Sequence, residues 1–434
     1  MEHLVALPRG ISRHVVRFIK VGKEVYAAKE VVEHLAIHEY RLLHDLTRMD
    51  TPSVEPVSVI TERFTPDGEP LDPVLITRHL QFSLPYRSLF NRGVRLDTVN
   101  RLIDAMVVLL ARLHLVGFLW GDVSLSNTLF RRDAGEFAAY LVDAETGEVH
   151  EELTRGQREH DLAIARTNLF GEFSDLEAGG LLDDALDPRQ LVDMIESRYR
   201  ELWAELTESE TFDGSEMHRL DSRVRRLNAL GFDVAELDII TDLDGARVRI
   251  QPKVVDAGHH SRRLLRLTGL DTEENQARRL LNDLDSFRAR TDQQGADEAV
   301  VAHQWLIQCF ERVVDLVPAN LRGKRESAQI YHEVLEYRWY RSEELGTEMT
   351  LEDATRGYVR DVLAALPDER VDASMAPVLE EGGRRLANPF DPSKGYADED
   401  DDEDVPYDPW EDVDGAPEPS GYLDITALRA KAKR

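Results

Sequence analysis

The sequence predicts an α+β chain in four parts: a small β-rich lobe over residues 1–80, a helical lobe over 81–175, a mainly helical domain over 176–366 with one strand pair, and an acidic tail over 367–434. Three observations carry that division. β-prone segments dominate the first stretch, with one helical run among them. A long amphipathic helix then leads into a polar loop with Asp122 and Asn127 five positions apart, followed by Leu141-Val-Asp143. Beyond about residue 175, helical spacing takes over until the composition turns rich in Pro, Gly and acids.

Arg13 to Val21 and Glu24 to Val32 read as strands joined at Val21-Gly22-Lys23, a hairpin signal. From His34 to Leu46 the apolar spacing becomes helical. Pro52 to Ile60 and Pro73 to Leu80 read as further strands. Leu102, Met106, Leu109, Leu110 and Leu113 mark one face of a helix that stops at Gly117. Residues 188–208 carry Leu191, Ile195, Leu202 and Leu206 on one stripe. Residues 234–255 form a strand pair turned at Asp244-Gly245. The chain is helical from His259 to about Leu366, with capping signals at Asp271-Thr-Glu-Glu274 and Thr350-Leu-Glu-Asp353. The acidic run from Asp398 to Asp404 repels itself, so the tail is expected to stay disordered, with a short basic-ended helix over Tyr422 to Arg434.

A net charge of −30 over 434 residues argues against a general nucleic-acid or anionic-membrane binder. The single cysteine, Cys309, excludes an intrachain disulfide and sits in an apolar run, as a small core residue does. With no apolar leader and no apolar run of membrane-spanning length, the expectation is a cytoplasmic protein.

Asp122, Asn127 and Asp143 have the spacing of a kinase catalytic loop and its metal-binding strand. In such a loop the first Asp, here Asp122, takes the proton of the attacking hydroxyl. Asn127 and Asp143 would hold Mg²⁺, a cation that takes oxygen ligands and keeps several waters. The lead-in Leu113-His114…Gly117-Phe118 matches kinase loops, but Trp120-Gly121-Asp122 replaces the usual His-Arg-Asp or His-Gly-Asp. Loss of that His leaves the local geometry open. Asp143-Ala-Glu145 stands in place of D-F-G, and Glu145 either assists the metal or lies at the surface. Lys29, in Val25-Tyr-Ala-Ala-Lys29, resembles the V-A-I-K lysine that contacts nucleotide phosphates; its bland alternative is a surface strand lysine. Glu39, ten residues on, would pair with it from a helix, unless it is merely solvated; Glu33 is a rival too close to the strand end. Asp161 resembles the buried helix Asp that supports the loop backbone in kinases. Only eighteen positions separate Asp143 from Asp161, and no A-P-E follows, so a long peptide-docking segment has no room. A G-x-G-x-x-G loop is missing; backbone amides around Gly10 and Ser12, in its place, would cover the nucleotide phosphates.

These residues make about 1–175 resemble an atypical, small-substrate-type kinase fold. The loop Gly121-Asp-Val-Ser-Leu-Ser-Asn127 is similar to those of right-open-reading-frame kinases and lipopolysaccharide heptose kinases. The whole chain looks like a bacterial family with a lipopolysaccharide-kinase-like N-terminal region and a C-terminal domain of unknown function. The resemblance implies an ATP- and Mg²⁺-dependent phosphotransferase whose acceptor cannot be read. Two rivals remain. One is a nucleotide-binding pseudokinase that acts through interactions. The other is a nucleic-acid-associated factor using a basic face at 249–279, with Arg249, Lys253, His259, His260, Arg262, Arg263, Arg266, Arg278 and Arg279. The bland reading of that face is a helix surface neutralised by nearby acids.

Overall fold

The computed structural model describes residues 4–5, 14–22, 24–90, 96–208, 210–213, 222, 227, 230, 232–241 and 247–369. The first lobe is built from β1 (Leu4–Val5), β2 (Val15–Val21), β3 (Glu24–Glu30), α1 (Glu33–Arg48), β4 (Pro56–Ile60), β5 (Arg63–Phe64), β6 (Pro70–Leu71) and β7 (Val74–Arg78). Five of these strands form an antiparallel sheet in the order β1-β2-β3-β7-β4. The β2–β3 hairpin turns at Gly22, whose φ of +66° suits a tight two-residue turn. Lys29 sits near the end of the central strand β3, and α1 leans Leu42, Leu43 and Leu46 into the core.

A connecting segment leads to β8 (Leu84–Pro85), the short α2 (Tyr86–Leu89) and the long α3 (Leu96–Leu115). Leu102, Met106, Leu109, Leu110 and Leu113 are buried along α3, the face their spacing predicts. Each fully buried side chain of this kind contributes about 1.5–3 kcal/mol relative to exposure. Next come β9 (Phe118–Leu119), β10 (Thr128–Asp133), β11 (Glu136–Leu141), β12 (Glu148–Val149), α4 (Arg155–Ala178) and α5 (Pro188–Thr207). The order of sheet, helix, loop and hairpin gives this region its kinase-like, bilobal plan.

The division anticipated at residue 175 falls inside α4, and α5 packs beyond it on α3 and α4 within one apolar core that runs from Leu42 to Phe232. The anticipated strand pair is present as β14 (Phe232–Thr241) and β15 (Arg247–Ala257), joined by a third strand, β13 (Glu210–Asp213), in the order β13-β15-β14. Its turn at Asp244-Gly245 lies outside the described residues. The rest is helical: α6 (His259–Thr268), α7 (Glu274–Arg290), α8 (Glu298–Trp305), a π turn (Leu306–Phe310), α9 (Glu311–Leu316), α10 (Ser327–Leu345) and α11 (Leu351–Asp361). These enclose a second core from Leu264 to Leu366, against which Cys309 packs half-buried. Burial pushes the Cys309 thiol up to about 11, which leaves it a poor nucleophile. Thr350 caps α11 by accepting from Asp353 N at 3.1 Å. The tail expectations at 390–420 and 422–434 lie outside the described residues. Among the described residues no helix is long and apolar enough to cross a membrane.

Candidate functional site

Lys29 points from β3 into a nest of carboxylates. Its Nζ donates to Glu39 Oε2 at 3.0 Å, to Asp143 Oδ2 at 2.7 Å and to Glu145 Oε2 at 3.2 Å. Glu39 reaches it from mid-α1 and is 1% exposed, whereas Glu33 occupies the first turn. Asp143 and Glu145 follow β11, and Asp143 Oδ1 also accepts from Glu145 N at 3.1 Å. Glu145 is therefore part of this cluster, and His14 Nε2 lies 2.9 Å from the same oxygen, Oε2, that accepts from Lys29. Carboxylate oxygens of Glu39, Asp143 and Glu145 lie within 4.8 Å of one another. Three acids around one ammonium leave local charge unbalanced. Burial pushes the Glu39 carboxyl up to about 7, aided by the Asp143 charge and opposed by Lys29. Burial alone would lower the Lys29 pKa; Glu39 and Asp143 outweigh it and hold the ammonium above its usual value.

The Asp122–Asn127 loop lies between β9 and β10. Asn127 Nδ2 donates to Asp122 Oδ2 at 3.0 Å and to Asp122 O at 3.1 Å. From α4, Asn168 Nδ2 donates to Asp122 Oδ1 at 2.9 Å and to Val123 O at 3.2 Å. Both Asp122 oxygens are thus held by amide donors. Glu172, one turn further along α4, accepts from Leu125 N at 2.6 Å, Ser126 N at 2.8 Å and Ser126 Oγ. Neither Asn168 nor Glu172 was singled out from the sequence.

Asp161, also on α4 and fully buried, accepts from Trp120 N at 2.9 Å and Gly121 N at 2.8 Å. The His114 ring bridges Asp161 Oδ2 at 3.0 Å and Tyr199 OH at 2.5 Å. With the carboxylate acting as acceptor, Nε2 carries the proton and Nδ1 accepts from Tyr199. Burial lowers the His114 pKa against the pull of Asp161, so the ring stays neutral. Trp120 resolves the geometry left open by the missing His. It is completely buried, and its Nε1 donates to Asp143 O at 3.1 Å, tying the loop to the segment that follows β11. Gly121 has a φ of +76°, and a Cβ there would meet Thr146 O at 2.8 Å, so only glycine fits the loop at this point.

Gly10 and Ser12 lie outside the described residues. On the basic face, the side chains of Arg249 and Lys253 do too. His260 meets Glu274 at 2.6 Å, Arg263 meets Glu298 at 2.6 Å, and Arg262 meets Asp50 at 3.5 Å. The Arg262 and Arg263 charges are offset locally, as the bland reading anticipates.

A profile for a domain of unknown function (DUF4032) matches residues 201–363. No curated protein matches the chain. Among solved structures, the chain is similar to WaaP in complex with acyl carrier protein, at 15% identity and a TM-score of 0.32, over 51% of this chain and 87% of that one. The kinase-like plan of the N-terminal region rests on its own strand order, its lysine–glutamate pair and its loop.

Proposed function

We infer that this protein is an ATP- and Mg²⁺-dependent phosphotransferase. The observation that carries the reading is the meeting of Lys29, Glu39 and Asp143 at one point, with Asp122 and Asn127 held on the adjoining loop. Lys29 would hold nucleotide phosphates, and Glu39 would keep its charge aimed at them. Asp143 and Asn127 would hold Mg²⁺, with Glu145 as a further oxygen donor; the bound ion offsets phosphate charge. Hard oxygen ligands and a surplus of negative charge suit a divalent cation. Asp122 would accept the proton of an acceptor hydroxyl as its oxygen bonds to the γ-phosphorus and the bond to ADP breaks.

The segment joining the lobes adds a second line of support. His79 Nε2, Gln81 Oε1 and Ser83 Oγ are buried there without a hydrogen-bond partner among the described residues. Such atoms are costly unless something satisfies them, and a nucleobase offers matching donors and acceptors.

One observation favours the pseudokinase rival: Glu145 stands where D-F-G has its glycine and already engages Lys29. A thermal-shift assay tests the part common to both. Mg²⁺-ATP at millimolar concentration should raise the melting temperature, and Lys29→Ala should blunt the rise. A well-folded wild type with no shift would contradict both readings.

A further inference from the structure

The β10–β11 hairpin links the two halves of the candidate site. Asn127 directly precedes β10, and Asp143 follows β11 by two residues. The far end of the hairpin is not free. Asp133, 3% exposed, accepts from Asn275 N at 3.1 Å, Asn275 Nδ2 at 2.9 Å and Gln276 N at 2.7 Å. A carboxylate at that place satisfies unpaired amides at the start of α7 and faces the positive end of the helix. Gln276 Nε2 donates back to Arg132 O at 3.0 Å, and Ala134 N donates to Gln329 Oε1 at 3.0 Å. Arg131 bridges Glu273 and Glu326, each at 2.7 Å, and Tyr140 on β11 donates to Glu273 at 2.7 Å. Arg132 and Arg325 close on one oxygen of Glu369, both at 2.8 Å.

We propose that the C-terminal domain positions the candidate site by clamping the β10–β11 hairpin, with Asp133 and Arg131 as positioning residues; its link to nucleotide rests on the phosphotransferase reading. Burying this many charged groups is unfavourable unless the partners match in detail. Arg131 Nε and two Arg325 nitrogens lack a hydrogen-bond partner among the described residues, but the groups that are paired favour one register between the domains, where an ordinary contact between domains of one chain leaves them free to move. Arg131 lies on β10 and Tyr140 on β11, and both meet Glu273. That shared partner resists sliding of one strand along the other, the motion that would shift Asn127 relative to Asp143.

Hydrogen exchange on the full chain tests this. In Asp133→Ala, amides at 274–277 should lose protection, and those at 122–128 and 141–147 should exchange about tenfold faster, as expected when a buried hydrogen-bonded group is removed. Asp133→Asn keeps an acceptor for the helix amides and should restore most of the protection. Mg²⁺-ATP stabilisation should shrink in the same order. If Asp133→Ala does not fold, Tyr140→Phe removes one hydroxyl and is judged by the same criteria. Faster exchange at 274–277 with wild-type rates at 122–128 and 141–147 would overturn the proposal. So would unchanged protection at 274–277 in every variant. A wild type without any nucleotide response, but with the linked exchange pattern, would remove the phosphotransferase reading and leave the clamp standing.

Discussion

Trp120 illustrates how a residue swap can preserve a contact. An indole N–H spans the distance to Asp143 O that a loop histidine would be expected to cover, while the ring fills the core beneath the loop. Gly121 beside it has no such freedom. Gly121→Ala should destabilise the chain by about 1–3 kcal/mol, through positive φ and the approach of Thr146 O; urea unfolding measures it. A loss below the error of that measurement would mean the loop relaxes. His332 is a different case. Burial in the second domain lowers its pKa to about 4, against an ordinary 6.5. The native ring stays neutral while the unfolded ring takes a proton, so its contribution is present above pH 6.5 and lost as pH falls towards 4. Relative to His332→Leu, the wild type should lose about 1.4 kcal/mol per pH unit in that window. Parallel stability curves for the two proteins would rule this out. Lys29, Glu39 and Asp143 were legible because strand, helix and loop patterns each fix a local position. Their distances to Glu145 and His14 were not, since they depend on how the two lobes close.

At the scale of elements, α4 organises the loop. Asp161, Asn168 and Glu172 are spaced i, i+7 and i+11, which places them on one stripe of the helix. All three turn towards residues 120–126. The stripe was present in the sequence, but a polar stripe reads by default as a solvated face. Only the buried partners distinguish the two. Glu172→Ala should leave the Leu125 and Ser126 amides unpaired and cost about 1–3 kcal/mol. Asn168→Ala should leave the fold intact but release one oxygen of Asp122, so transfer should slow while nucleotide binding holds. Equal loss of both would point to collapse of the loop instead. Four strands of the first sheet and α3 followed from β-prone runs and an apolar stripe in the sequence, whereas β1, only two residues long, left no such signal. The three-stranded sheet was read as a pair because β13 is only four residues long.

At the scale of the whole molecule, two apolar cores meet through a polar seam rather than a shared apolar one. Sequence periodicity can assign each core, but the seam joins residues more than a hundred positions apart, such as Asp133 and Gln276, and no local pattern encodes it. The seam should make the two cores unfold together, with coincident transitions by different probes, and Asp133→Ala should separate them. Two distinct transitions in the wild type would show that the seam does not couple them. The central claim is chemical, and transfer from γ-labelled ATP tests it most directly. Wild type and Asp122→Asn are compared with and without Mg²⁺, on the protein itself and on a cell extract. The wild type should show Mg²⁺-dependent transfer, and Asp122→Asn should show a fall of roughly 10²–10⁴, the usual contribution of a positioned base, with nucleotide binding retained. Equal signal from the two proteins would contradict the central claim and leave the pseudokinase reading in its place.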